Sequence, residues 1–269
     1  MTVSLESSHA VGAAFDAMAD HYDDLFTFSV VGRAQRDVVW DRAAATFLPG
    51  SHILEINCGT GEDALFLANR GISVTACDAA GQMIEHAKAR KELEAPAASI
   101  NFHVLPTERL CELPKEPLFD GVFSNFSGLN CVADLRAVSK ELAMRIQPGA
   151  RLLLCLSTRF CLWEILHYTA KGDFHKALRR CRGVSQAKFD GHSFFVYYPT
   201  MRSLRRSFQE FRLRSVTGVG ITTPPSYLEG WVSKHPRLLT AMQYFDKAVC
   251  DLPLFRNIGD HVLLSMERV

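Results

Sequence analysis

The chain has 269 residues, 48% of them hydrophobic and 22% charged, which excludes disordered, collagen-like and coiled-coil readings. Thirty Lys and Arg against 29 Asp and Glu leave a net charge of +1, so there is no global field to hold a polyanion and no nucleic-acid partner is expected. No run approaches the roughly 18 apolar residues of a membrane span, and the first residues lack a basic start followed by a long apolar stretch, so a cytoplasmic protein without a membrane partner is predicted.

In chain order, Ala14, Phe15, Met18, Tyr22 and Leu25 recur at spacings of three and four. They predict helix through the first fifty residues, with a second stretch around Val38, Trp40 and Phe47 that Pro49-Gly50 stops. His52 to Ile56 then reads as a strand, followed by a glycine turn and a helix that ends at Gly71. The same alternation returns as ISVTACD with AGQMIEHAKARKEL, as SINFHVL, as LFDGVFSN with a helix from about Val132 to Ile146, and as ARLLLCLS. Strands and helices alternating at these lengths predict βαβ units, hence an α/β fold with a mainly parallel sheet covered by helices on both faces. After Ser157 the alternation stops, and residues 160–182 read as helical and increasingly basic. The helix near Met201 to Glu210 sets Met201, Leu204 and Phe208 on one face and its arginines elsewhere, which reads as a solvated basic face on a packed helix. FRLRSVTGVG and DHVLLSMERV read as two last strands, separated by TTPPSY and further helix to about Val249.

One unit is therefore expected over 1–269: a helical lid at 1–50, a core at 51–157, a cap insertion at 158–200, and final strands with a helical insertion at 201–269. The eight cysteines, at 58, 77, 111, 131, 155, 161, 181 and 250, form no CxxC pair. Several lie in apolar runs, so free thiols are expected, with no metal site.

In Glu55-Ile56-Asn57-Cys58-Gly59-Thr60-Gly61 the glycines fall where a strand turns into a helix and lets a ligand approach the backbone. Asp78 closes the next strand, where a carboxylate can accept both hydroxyls of a ribose. The pair specifies an adenosine-type ligand. Gly59-x-Gly61-x-x-Ala64 also satisfies a dinucleotide fingerprint. However, Glu55 before the turn suits an ammonium, and Glu62 and Asp63 after it would repel a pyrophosphate.

The segments LEINCGTGEDA (54–64), VTACDAAGQMIEHA (74–87), FDGVFSNFSGLN (119–130) and IQPGARLLLCL (146–156) resemble the class I S-adenosylmethionine-dependent methyltransferases, of small-molecule type. The resemblance covers about Phe15 to Leu156 and implies a Rossmann-like seven-stranded sheet with a reversed final strand, and S-adenosylmethionine as cofactor. It further implies that Glu55, Asn57, Cys58, Gly59 and Gly61 surround the methionine end, that Asp78 takes the ribose, and that Ala79 and Met83 flank the adenine. Thr107 and Glu108 would fall in the adenine-edge loop, and Asn125 and Phe126 beside the sulfonium. Asn57 stands where the family more often has glycine, and Pro106 where an adenine-binding aspartate is common. FDAMADHYDDLF looks like the family's lid, bringing Tyr22, and with it Arg36, toward the cofactor carboxylate.

Methyl transfer is an in-line displacement in which alignment and desolvation can suffice. Where a proton must be taken or oriented, His192 and Tyr227 are the candidate catalytic residues, with Asn130 and Tyr197 as candidates lining the acceptor pocket. That pocket is expected between the helices near Tyr22 and the insertions around 160–200 and 221–250. There Phe194, Phe195, Tyr197, Tyr198, Tyr227 and Trp231 imply an apolar or aromatic acceptor, and the local arginines leave room for an anionic one. Two other functions use the same turn: a catalytically silent cofactor-binding scaffold, and an NAD(P)-dependent oxidoreductase.

Overall fold

A computed structural model describes residues 2–269, with side chains from Ser8 onward. Met1, where the expected lid begins, lies outside the described residues. The chain opens with α1 (Thr2–Tyr22), which passes into a π-helical turn at Asp23–Thr27. Helix α2 (Val30–Thr46) follows, its first turn closed by Ser29 Oγ, which accepts from the Gly32 N–H. Then come β1 (His52–Ile56), α3 (Glu62–Ala68), β2 (Ser73–Asp78), α4 (Gly81–Glu94), β3 (Ile100–Val104), β4 (Phe119–Ser124), α5 (Leu135–Ala143) and β5 (Ile146–Ser157). The carboxylate of Asp134 caps α5 by accepting from the N–H groups of Arg136 and Ala137.

Beyond β5 lie α6 (Leu162–Ala170), α7 (Phe174–Ala177), the hairpin β6 (Val184–Phe189) and β7 (His192–Tyr197), α8 (Met201–Ser207), β8 (Phe211–Val219), α9 (Glu229–Val232), α10 (Pro236–Val249) and β9 (His261–Arg268). The seven-stranded sheet has the order β3-β2-β1-β4-β5-β9-β8. Strands β1 to β5 pair in parallel, while β9 runs antiparallel between β5 and β8. This is the expected Rossmann-like sheet with a reversed final strand. The hairpin was not anticipated: residues 184–197, expected only as part of the cap insertion, form a separate two-stranded sheet.

Burial follows strand position. In β1 and β2, in the interior of the sheet, every residue but His52, Ser73 and Asp78 is buried, whereas edge strand β3 buries only Ile100. Alternate residues feed two cores. Ile56, Val122, Leu154 and Leu264 pack with α5 and α8 on one face, and Ile53, Phe123, Leu153 and Leu263 pack with α2 and α3 on the other. None of the eight cysteines is in a disulfide; five are buried and Cys111 alone is fully exposed. Strand order reverses between β1 and β4, and the crevice outside the carboxyl ends of strands at such a reversal is where open α/β sheets bind ligands.

Candidate functional site

A cavity of about 260 Å³ occupies that crevice. Its floor is the turn after β1, where the strand must reverse over three residues. Asn57 and Gly59 both take left-handed backbone, with φ of 58° and 53°. Asn57 tolerates this and is braced by its side-chain amide, which donates to Thr107 Oγ1 at 2.9 Å. A Cβ built on Gly59 would project to within 3.9 Å of the Tyr22 ring, so here glycine keeps the backbone bare toward the cavity. Gly61 differs. It caps α3 with φ of 77°, and its Cβ would meet Ala87 at 2.8 Å and Phe102 at 3.1 Å. Gly61 is absent from the cavity lining. It serves close packing of the turn against α4 and β3, a correction to its reading as a cofactor neighbour.

Asp78 lines the cavity at the end of β2. Its Oδ2 accepts from the Gly59 N–H and its Oδ1 from the Ala80 N–H, both at 2.9 Å. Each carboxylate oxygen keeps a second lone pair, so the group can accept two more hydrogen bonds. Burial raises its pKa above the usual carboxylate range, against the pull of the N–H groups of Ala80, Gly59 and Ala79.

The lid forms the roof. Helix α1 passes so near the loop after β2 that a Cβ on Gly12 would lie 2.9 Å from the Ala79 carbonyl oxygen. Ala19, Ala80 and Met83 form a small apolar cluster there, with Phe15 and Tyr22 packed on it. Polar ties fix the position: Asp16 accepts from the Gln82 N–H at 2.7 Å, and Asp23 accepts from Thr60 Oγ1 at 2.7 Å and from Arg90. Phe194 and Val196 of β7 complete the cover, the Phe194 ring 5.9 Å from that of Phe15. Burial pushes the Tyr22 phenol up to about 12, so at neutral pH it is a proton donor.

On the far side, Arg36 reaches the cavity from α2 but is held at 2.6 Å by Asp63, which also accepts from Trp40 Nε1 and Asn125 Nδ2. The guanidinium lies over the Phe126 ring, 4.9 Å from its centroid. Phe126 and Ser127 both have positive φ, 45° and 70°, a strained pair at the cavity wall. Among the described residues, three of the five buried side-chain polar atoms without a partner are in this region: Thr27 Oγ1, Arg36 Nε and Glu55 Oε2. Thr27 and Arg36 line the cavity, whereas Glu55, the last residue but one of β1 and expected to meet the cofactor, is buried behind the turn and is absent from the lining. A buried polar group left unpaired costs about 1–3 kcal/mol, so the two in the lining favour a polar ligand. Thr27 and Arg36 each offer the cavity a donor that an anionic group of a ligand can accept from.

Burial first, then Asp63 and Asp78, raises the Glu55 pKa well above its ordinary value of 4.5, with Arg36 opposing. The folded chain therefore holds a proton that the unfolded chain releases. The stability this contributes is full below that ordinary value and is lost as pH rises through the folded pKa. Without cofactor, Glu55→Gln is expected to gain thermal stability relative to the parent as pH rises. Parallel melting curves for the two proteins at every pH would contradict this.

The sequence thus brought Tyr22, Arg36, Asn57, Cys58, Gly59, Asp78, Ala79, Met83, Asn125 and Phe126 to one cavity. Other expectations require correction. Thr107 is buried away from the cavity as the Asn57 brace, and Glu108 beside it is not in the lining. Asn130 is fully buried as a clamp: its amide donates to the Tyr197 carbonyl at 2.6 Å, and its oxygen accepts from the Ser157 N–H at 2.9 Å. Tyr197 gives that carbonyl, while its side chain alternates away from Phe194 and Val196. His192 is exposed beside the hairpin turn, and Tyr227 lies outside the cavity against His167 and Tyr168. His192→Ala is expected to change cofactor affinity less than about twofold and stability by under about 0.5 kcal/mol, as for an exposed surface position. Calorimetry and thermal melting check both. Of the cap aromatics only Phe194 reaches the cavity, and segment 221–250 contributes nothing to its lining.

Sequence alone missed Val11, Gly12, Thr27, Thr60, Ser127, Gly128, Cys131 and Val196. Among the described residues no group of three or more His, Cys, Asp or Glu is placed to hold a metal ion, and no helix is long and apolar enough to cross a membrane.

A family model described as "Methyltransferase domain" matches residues 53–149. The chain is 31% identical over 172 residues to a ubiquinone/menaquinone biosynthesis C-methyltransferase from Geotalea daltonii, covering 61% of this chain and 70% of that protein. It is 32% identical over 148 residues to a demethylmenaquinone methyltransferase from Mycobacterium tuberculosis, covering 54% of this chain and 57% of that one. A crystal structure titled as an S-adenosylmethionine-dependent methyltransferase from Listeria monocytogenes superposes with a TM-score of 0.58 at 15% identity, over 87% of this chain and 99% of that one; it shares the fold.

Proposed function

Because this chain belongs to the class I S-adenosylmethionine-dependent methyltransferases, we propose that it works in the cytoplasm and methylates a small apolar or aromatic acceptor, a class that includes the quinone-type rings named for its relatives. The single observation that carries the site assignment is the placement of Asp78, Gly59 and the unpartnered Arg36 and Thr27 atoms around one crevice. S-adenosylmethionine supplies an electrophilic methyl group when bound. Asp78 and the bare backbone at Gly59 hold the ribose side, Ala79 and Met83 flank the adenine, and Arg36 and Thr27 receive the amino-acid end.

Phe15, Phe194 and Val196 exclude water from the opposite wall. Exclusion strengthens the remaining electrostatic contacts and leaves alignment as the main source of rate. Among the described residues no histidine lines the cavity, and burial holds the Tyr22 phenol and the Cys131 thiol protonated, both at about 12. That leaves the carboxylates of Glu62, Asp63 and Asp78, each already paired or hydrogen-bonded, and the acceptor's own ionised or lone-pair nucleophile. Calorimetry with S-adenosylhomocysteine beside NAD tests the cofactor assignment: micromolar binding of the first and none of the second is expected. Transfer of labelled methyl to a panel of quinols, phenols and aryl acids then tests the acceptor class. Cofactor binding with no transfer to any of them would favour a catalytically silent binding protein.

A further inference from the structure

At about 260 Å³ the first cavity lies below the roughly 300–1,000 Å³ typical of ligand sites, so one ligand uses it up. A second cavity of about 270 Å³ lies against it, at the carboxyl end of β5. Its apolar walls are Leu156, Phe160, Met201, Leu204 and Val262, and Ser157, Thr158, Thr200, Asn257 and Arg159 are the polar residues of its lining. The partition between the two is a pair of hydroxyls: Ser127 lines the first cavity, Ser157 lines the second, and their Oγ atoms are 2.6 Å apart. Parting them takes a rotation of two short side chains, whereas the strained backbone at Phe126 and Ser127 stays fixed by the Ser127 N–H bond to the Cys155 carbonyl and by the Asn130 clamp.

Arg159 is half-buried, its Nε donates to the Cys181 carbonyl at 3.1 Å, and it has no carboxylate partner among the described residues. Of the other partly or fully buried arginines in this region, Arg179 and Arg180 are both paired with Glu164, and Arg180 also with Asp260, whereas Arg256, beside the Asn257 of this cavity, likewise has no carboxylate partner among the described residues. The Arg159 guanidinium packs toward Cys181 and Gly183 with N–H groups to spare, and such a group in a lining whose other polar members are Ser157, Thr158, Thr200 and Asn257 is a receptor for a planar anion.

We propose that this second cavity holds the body of the acceptor, an apolar or aryl carboxylate whose anionic group pairs with Arg159 and whose nucleophile reaches the first cavity past the Ser127–Ser157 pair. The proposal rests on the methyltransferase reading and adds the acceptor's chemistry and its place.

The test uses biphenyl-4-carboxylate and its neutral amide as probes, titrated calorimetrically into the full chain saturated with S-adenosylhomocysteine. The carboxylate is expected to bind at least tenfold more tightly than the amide. Arg159→Gln should abolish that difference, and Met201→Trp, which fills the chamber from the half-buried first turn of α8, should weaken both probes at least tenfold. Neither variant should alter S-adenosylhomocysteine affinity, and thermal melting confirms that each is folded. Carboxylate binding untouched by both variants, or no preference over the amide in the parent, overturns the proposal while the cofactor reading stands. Failure of the parent chain to bind S-adenosylhomocysteine overturns that reading instead.

Discussion

Asp78→Ala is expected to weaken S-adenosylhomocysteine binding by about tenfold or more, because a charge-assisted hydrogen bond of the kind a ribose hydroxyl makes to a carboxylate contributes about 1.5–3 kcal/mol. The expected loss is larger than a ribose contact alone, since the same carboxylate accepts from the Gly59 and Ala80 N–H groups and so shapes the turn that faces the ligand. Asp78→Asn separates the two roles. An amide oxygen can keep one backbone bond, but the amide nitrogen meets the other N–H donor to donor, so the turn is partly retained while the charge is gone. Affinity is expected to order as parent, then Asn, then Ala. Acid titration of binding adds a second reading: because burial raises the Asp78 pKa, affinity should fall on acidification at a pH above the ordinary aspartate range. A folded Asp78→Ala protein with parental affinity would remove this residue from the site.

The second large effect falls on the fold rather than on the ligand. Gly61→Val places a β-branched side chain at φ of 77°, with its first carbon 2.8 Å from Ala87 and its methyl groups directed at Phe102. Left-handed backbone costs a non-glycine about 1–2 kcal/mol, and overpacking a close contact adds about 1–3 kcal/mol, so a loss of about 3 kcal/mol or more is expected in denaturant unfolding. Ala87 lies on α4 and Phe102 on β3, neither of which can retreat without parting from β2. Gly61→Ala should be milder, because its single methyl meets the same Ala87 contact without the added branches. If Gly61→Val kept its unfolding midpoint and lost only cofactor affinity, the packing role would be refuted and the ligand role restored.

These two residues show what was legible. Asp78 and Gly59 could be read because strand, turn and acid are local in sequence and their chemistry is set by spacing. The strands and helices from His52 to Ser157 could be read because each keeps one apolar period throughout. Gly61 carried the same local signal, yet its purpose depends on Ala87 and Phe102, 26 and 41 residues away, which no short spacing reveals. Asn130 misled for the same reason: a polar side chain beside a ligand turn is indistinguishable, in sequence, from one that clamps Ser157 and Tyr197. Arg36 was placed correctly near the cofactor, but its pairing with Asp63 depends on the packing of α2 against α3.

The hairpin is a different kind of miss, since its signal was present. Asp190-Gly191 both adopt positive φ, 44° and 78°, the backbone of a tight two-residue turn, and Asp-Gly between β-prone runs is among the stronger hairpin signatures. Recognising it would have set Phe194 and Val196 on one face and Phe195 and Tyr197 on the other, and so would have separated the residue that covers the cavity from its neighbours.

The place of β9 in the sheet governs the order in which the molecule can be built. Strand β5 is synthesised with β4 already beside it, but its other edge is destined for β9, which begins only at His261. Until then Leu152, Leu154 and Leu156 border an unpaired row of backbone N–H and C=O groups while all of α6 to α10 emerges, and β8 has no neighbour at all. An open apolar edge is a template for pairing with another chain, and closing a sheet across so long an intervening segment is slow. The parallel half can assemble early around β1 and β4, where the ligand crevice lies. Completion of the sheet waits for a single strand, so nascent chains of this protein pass through an interval in which the cofactor site has its floor and the sheet beside it is still open.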